Sequence, residues 1–141
     1  MSYIETIQKY LKDALKFPRV SIGKVDANND VLYIRQTGSK GYNYLRSFQS
    51  NNYYQSKFQI LIYINDLSAA FAMSDKIEMV LENSKEINMD DKTIVRFEKI
   101  SGPIDIGFDA QDRKIISLNY TVDFRLNGVG ENGYKWWTCP S

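Results

Sequence analysis

At 141 residues, with 43% hydrophobic and 25% charged side chains, the chain has the make-up of one globular domain, long enough to bury a core without disulfide or metal staples. A formal net charge of +1 excludes an overall basic excess for nucleic-acid binding and leaves only local patches. Histidine is absent and the one cysteine is Cys139, which removes the Ser-His and Cys-His nucleophile systems, the commonest general base and nearly all transition-metal sites.

Ser2-Tyr3-Ile4-Glu5 reads as a capping box, in which the serine oxygen accepts from the backbone three residues on and the glutamate reaches back. Ile4, Ile7, Leu11, Ala14 and Leu15 then recur at helical spacing, and Pro18 ends the run by pushing the residue before it out of the helical region. Residues 20–24 and 31–36 read as two short strands joined by the turn-rich stretch 26–30. A long polar connection is expected over residues 38–52. Its Tyr42, Tyr44, Leu45 and Phe48 make it too apolar for an idle linker.

Residues 53–64 resume a strand period with Phe58, Ile60, Ile62 and Ile64 on one face. Asn65-Asp66-Leu67-Ser68 supplies a turn and candidate N-caps for a second helix over residues 69–82, expected to bury Ala69, Ala72, Met73, Ile77, Val80 and Leu81. After a polar connection, residues 93–100 form a strand that Gly102-Pro103 breaks, with 104–108 continuing on a new line. Asp109-Ala110-Gln111-Asp112 makes a hairpin turn into the clearest element of all. Between Lys114 and Leu126, Ile116, Leu118, Tyr120, Val122, Phe124 and Leu126 fall on one side and Ser117, Asn119, Thr121, Asp123 and Arg125 on the other. Alternate side chains of a strand point to opposite faces, so this one has a buried face and a wet or partner-facing face. The domain is expected to end near residue 126, and residues 127–141 read as an aperiodic C-terminal tail.

The motifs that mimic chemistry fail on their context. Gly128, Gly130 and Gly133 match G-x-G-x-x-G by letter, but the remaining eight residues leave no room for the returning strand that a dinucleotide fold needs. Gly38-Ser39-Lys40 lacks the leading glycine, the correctly placed lysine and the following helix of a phosphate loop. Asp105, Asp109 and Asp112 lack calcium-loop spacing, and the last two read as turn formers. The acids sit mostly on helix surfaces or in turns, where no pair is set up for general acid–base work. No cofactor and no metal are expected, and the chain reads as a building block with no substrate to transform.

Three features point to partners instead. The stretch around Lys40, Tyr42, Tyr44, Arg46 and Phe48 mixes basic and aromatic side chains, types enriched where proteins meet. Trp136 and Trp137 stand in the tail, where exposure is costly unless they dock on this domain or on a neighbouring subunit. Long strands also end in sheet edges that must be paired, covered or charged, which edge-to-edge assembly with other copies would do.

The order of these elements resembles the tail terminator proteins of long-tailed bacteriophages, including those often labelled phage minor capsid proteins. The likeness spans residues 1–126 and is carried by the leading helix and by Val31-Leu-Tyr-Ile-Arg35-Gln-Thr-Gly38. It continues through the 58–64 strand, by way of Asn65-Asp66, into the alanine-containing helix, and ends in the hairpin 93–126 with its Gly102-Pro103 break. It implies an α+β fold, an antiparallel β-sheet packed against two α-helices, with an extended loop and a C-terminal tail. It further implies a virion protein that forms a hexameric ring on the head-facing end of the tail tube. Such a ring stops polymerisation and gives the surface that joins the head-tail connector protein, with viral DNA passing through the lumen without sequence-specific binding. Ring and tail-tube contacts are then expected at Arg35, Lys40, Tyr42, Tyr44, Arg46 and Phe48.

Two rivals stand beside this reading. One is a neck, adaptor or tail-tube protein of the same particle. The other, from a different class, is a single-stranded nucleic-acid-binding module stacking bases on Tyr53 and Tyr63 beside Lys57, against which the near-neutral charge weighs. No apolar run approaches the ~18 residues of a membrane span, and residues 1–17 lack a signal-peptide layout. The chain is therefore expected to have no membrane partner, to be made in the host cytoplasm and to end in the virion, with Cys139 a free thiol.

Overall fold

The computed structural model describes residues 2–25, 29–41 and 53–126. Helix α1 (Tyr3–Leu15) is followed by strands β1 (Val20–Ile22), β2 (Val31–Gly41) and β3 (Tyr53–Ile64), helix α2 (Leu67–Glu82), and strands β4 (Ile87–Asn88), β5 (Lys92–Phe108) and β6 (Lys114–Leu126). The strands form one sheet in the order β1-β2-β3-β6-β5-β4. Every pairing is antiparallel except that of β1 with β2, which is parallel. The architecture is therefore α+β with a mostly antiparallel sheet.

The capping box at the start of α1 forms as expected. Ser2 Oγ accepts from Glu5 N at 3.2 Å, and Ser2 N donates to Glu5 Oε1 at 2.8 Å. Tyr3, Ile4, Ile7 and Leu11 face the core, while Ala14 is exposed. Asp66 caps α2 by accepting from Ala69 N at 2.9 Å. This helix starts two residues earlier than the apolar spacing predicts, and its seam is Ala70, Ser74, Ile77 and Leu81. Ala69 and Ala72 are exposed, and Met73 and Val80 only half-buried. The correction has a packing reason. Small residues at Ala70 and Ser74 are fully buried where α2 lies over the sheet, and a seam set by a sheet beneath is not read from hydropathy alone.

Both helices lie on one face of the sheet. Beneath them sit Leu32, Ile34, Phe58, Ile60, Ile62, Ile116, Leu118, Tyr120, Val122 and Phe124, each 0–1% exposed. Phe58 anchors an aromatic cluster, stacking on Tyr120 at 5.7 Å and meeting Phe97 edge-on at 5.9 Å. Each such buried side chain contributes roughly 1.5–3 kcal/mol. The Tyr120 phenol is pushed up by burial and by the nearby Glu78 and Glu82.

Two strands depart from expectation. β2 continues through Gly41, so the connection begins later than residue 38, and Gly38-Ser39-Lys40 lies in a strand. Residues past Ile34 pair with β3 on one side but have no β1 beside them, so their polar composition suits an edge. β5 is one strand, not two. Its 17 residues face the 13 of β6 by absorbing register shifts at Ile94/Arg96, Lys99/Ser101, Ser101/Ile104 and Asp105/Gly107. Pro103 sits at one of these bulges, where the ladder does not need its missing N–H. Gly102 holds φ +114°, and a Cβ there would stand 2.6 Å from Ser117 O.

Candidate functional site

The face of the sheet opposite the helices carries the polar side chains that the alternation of β6 predicts, but it is not uniformly wet: Ser117, Thr121 and Asp123 are buried there, as are Val31 and Leu61. Arg35, Gln59, Asn119 and Ser101 line up in register across β2, β3, β6 and β5. Arg35 Nε donates to Gln59 Oε1 at 2.7 Å, and Gln59 Nε2 donates to Ser117 Oγ at 2.9 Å. Asn119 Nδ2 completes the row to Ser101 Oγ at 3.1 Å. A second row runs from Gln55 to Asp123 to Arg96, with bonds of 2.7 and 2.8 Å to the two carboxylate oxygens. Gln55 and Asp123 are only 3% and 4% exposed. Satisfied polar rows of this kind hold their side chains in one arrangement and suit a fixed surface.

The β5–β6 turn is tied down by Asp109. Its Oδ1 accepts from the backbone N–H groups of Gln111 and Arg113 at 3.0 and 2.8 Å, and its Oδ2 receives the Arg113 guanidinium at 2.7 Å. The same guanidinium donates to Asn29 O at 2.6 Å and lies 5.0 Å from the Tyr63 ring centre. The turn reading of Asp109 and Asp112 is thus what the structure shows. Burial works to raise the Asp109 pKa, but the N–H donors of Arg113 and Gln111 and the Arg113 charge together hold it below the ordinary value. Asp105 is held low chiefly by its bond to Lys114, with the Gly107 N–H helping against desolvation. Among the described residues, every carboxylate with a resolved shift moves down, towards staying charged. A general acid needs the opposite. No three of Asp, Glu, Cys or His among them converge as a metal cage does.

The sheet also leaves two edges uncovered among the described residues. β4 pairs only with Ile94 and Thr93, so β5 from Val95 to Phe108 has no strand on its outer side. That arm exposes Ile100, Ile104, Ile106 and Phe108 at 53%, 45%, 54% and 62%. At the other end, β1 is the last strand, with Ile22 exposed, and β2 beyond Ile34 has no outer neighbour.

Of the residues expected at contacts, Arg35 is exposed on β2. Lys40 lies in the same strand, its side chain outside the described set. Tyr42, Tyr44, Arg46, Phe48, Trp136 and Trp137 lie outside the described residues. So do Gly128, Gly130 and Gly133 of the glycine motif and Cys139. Lys57 and Tyr63 do share the helix-free face with the backbone position of Tyr53. The Arg113 guanidinium already covers the Tyr63 ring, which works against base stacking there. Sequence reasoning missed the apolar arm, because Gly102-Pro103 reads as an end of strand. The signal available was the density of isoleucine between Ile100 and Ile106.

A family model described as bacteriophage tail terminator protein matches residues 7–125. The chain belongs to the bacteriophage tail terminator family. The match covers both helices except the first turn of α1 and reaches nearly to the end of β6. No curated protein matches the sequence. As a member of this family the terminator is a structural component of the phage tail and of the virion. Among its described residues, no helix is long and apolar enough to cross a membrane.

Proposed function

We propose that this terminator caps the head-proximal end of the tail tube as a ring. The ring ends tube polymerisation, presents the surface that joins the head connector, and leaves a lumen through which viral DNA passes. The observation that carries this reading is the family match over residues 7–125. It is supported by a fold that leaves two sheet edges uncovered among the described residues and exposes an apolar arm on β5. A cap must bind the last tube ring and copies of itself, and it needs surfaces of fixed shape to do so.

Contacts to the tube or to neighbouring copies are assigned by this proposal to Arg35, Lys40, Tyr42, Tyr44, Arg46 and Phe48. Trp136 and Trp137 serve as anchors on this subunit or the next. Assembly takes place in the host cytoplasm before the tail meets the head. In the phage that encodes this chain, a nonsense mutation in its gene should give overlong tails without heads, and the wild-type gene supplied in trans should restore normal particles. Normal tail length without the protein refutes the proposal. The pair Tyr44→Ala/Arg46→Ala should fail to restore them, and normal head-joined tails from that variant would count against the residue assignment alone.

A further inference from the structure

We infer that the exposed apolar arm of β5 is a subunit-to-subunit contact, and that its occupant is the β1 edge of a second copy of this chain. The inference rests on the ring reading above and names the surfaces that close it.

The two edges lie at opposite ends of one sheet and at the same height along the strands. Val20 aligns through Leu32, Ile62 and Ile116 with Asp105. Ile22 aligns through Ile34, Ile60 and Leu118 with the bulge between Ser101 and Ile104. Exposed Ile22 on one edge therefore stands level with exposed Ile100 and Ile104 on the other. β1 and β5 also run in opposite directions within the sheet, so a neighbour related by rotation about the strand direction presents β1 antiparallel to β5.

Charge favours the same match. Residues 16–24 carry Lys16, Arg19 and Lys24 and no acid. Residues 98–112 carry Glu98, Asp105, Asp109 and Asp112 against one base, Lys99. Lys99 is already bonded to Glu78 at 2.9 Å, while Asp105 and Asp109 are bonded to Lys114 and Arg113. Glu98 is held only by a long, exposed contact to Arg96 at 3.7 Å, and Asp112 is exposed at the turn, so these two acids stand beside the arm to meet the basic edge of the next copy. Opposite potentials on two different patches select that pairing and disfavour each patch meeting itself.

A patch that fits a different patch on an identical molecule makes a head-to-tail contact, and such contacts close into rings when the rotation permits. The four register shifts in β5 twist its outer edge, so a continuous inter-subunit ladder is not the mode. Docking is by side chains: Ile100, Ile104 and Ile106 pack over Ile22, as a small apolar centre with a charged rim.

The test uses the full chain with Cys139→Ser, carrying either Ile22→Cys or Ile104→Cys, bound to tail tubes and treated with a short bismaleimide. Mixed proteins should give a cross-linked dimer, and each alone should give none. A chain with both cysteines should give a ladder of multimers. Self-dimers from Ile104→Cys alone, or no cross-link in protein that caps the tubes, overturn the inference. In parallel, Ile104→Lys/Ile106→Lys should keep its circular dichroism spectrum and lose capping. If that variant caps as wild type does, the arm is not the contact while the terminator reading stands. If wild-type protein leaves tubes uncapped, both fall together.

Discussion

Replacing Arg113 by alanine tests whether the hairpin that carries the β5 arm is anchored as the structure indicates. The Arg113 side chain is 6% exposed and its Asp109 partner 15%. Removing one member of a fully buried pair costs about 3–5 kcal/mol. Asp109 keeps its two backbone donors and some water, which reduces that to roughly 2 kcal/mol. Losing the guanidinium over Tyr63 adds about 0.5–1 kcal/mol. The Asn29 carbonyl also loses its donor, so the expected sum is about 3 kcal/mol. For a domain of this size the melting temperature should fall by roughly 10 °C. Urea unfolding followed by tyrosine and tryptophan fluorescence gives the free energy directly. Arg113→Lys keeps the charge without the fork and should recover only part of the loss. A loss under about 0.5 kcal/mol for Arg113→Ala would falsify the anchoring argument, since that is the size of an exposed ion pair.

Gly102→Ala should destabilise by about 2–4 kcal/mol, because φ +114° is closed to alanine and the added methyl meets the β6 backbone at 2.6 Å; a melting curve matching wild type contradicts this. Asp105 and Asp109 titrate below the ordinary aspartate value of 3.8 in the folded chain. Their stabilisation is therefore full above that value and is lost as the pH falls through the depressed folded values. Urea midpoints measured from about pH 6 to about pH 3 should drop at the acid end, and drop less for Asp109→Asn. Ser2→Ala removes one half of the capping box and should cost about 1 kcal/mol, with no change at the β-sheet end of the molecule. Amide exchange confined to the first turns of α1 checks it.

How much of this was readable beforehand depends on how local the determining physics is. The capping box, β3 and β6 follow from neighbours a few residues apart, and each forms over the residues expected. The seam of α2 does not, since Ala70 and Ser74 face inward because a sheet lies beneath them. The extension of β2 to Gly41 and the continuity of β5 past Gly102-Pro103 were likewise hidden. An edge strand has no second neighbour to impose alternation, and bulges erase what pattern remains. Arg35 was legible as an exposed base on a strand. Ile100, Ile104 and Ile106 were not legible as a surface, because exposure there follows from sheet order, which brings β6 between β3 and β5. The polar rows through Gln59, Ser117 and Asn119 lie between these cases. Their shared face was visible in the sequence, but their partners on other strands were not.

The central claim is that this chain stops a growing tube at its head-facing end. Purified tube protein polymerised with increasing amounts of the terminator, and imaged by electron microscopy, tests it most directly. The account predicts tubes that shorten as the ratio rises, each with a ring of extra density at one end only. Tubes of unlimited length with bare ends, or decorated along their sides, would contradict it.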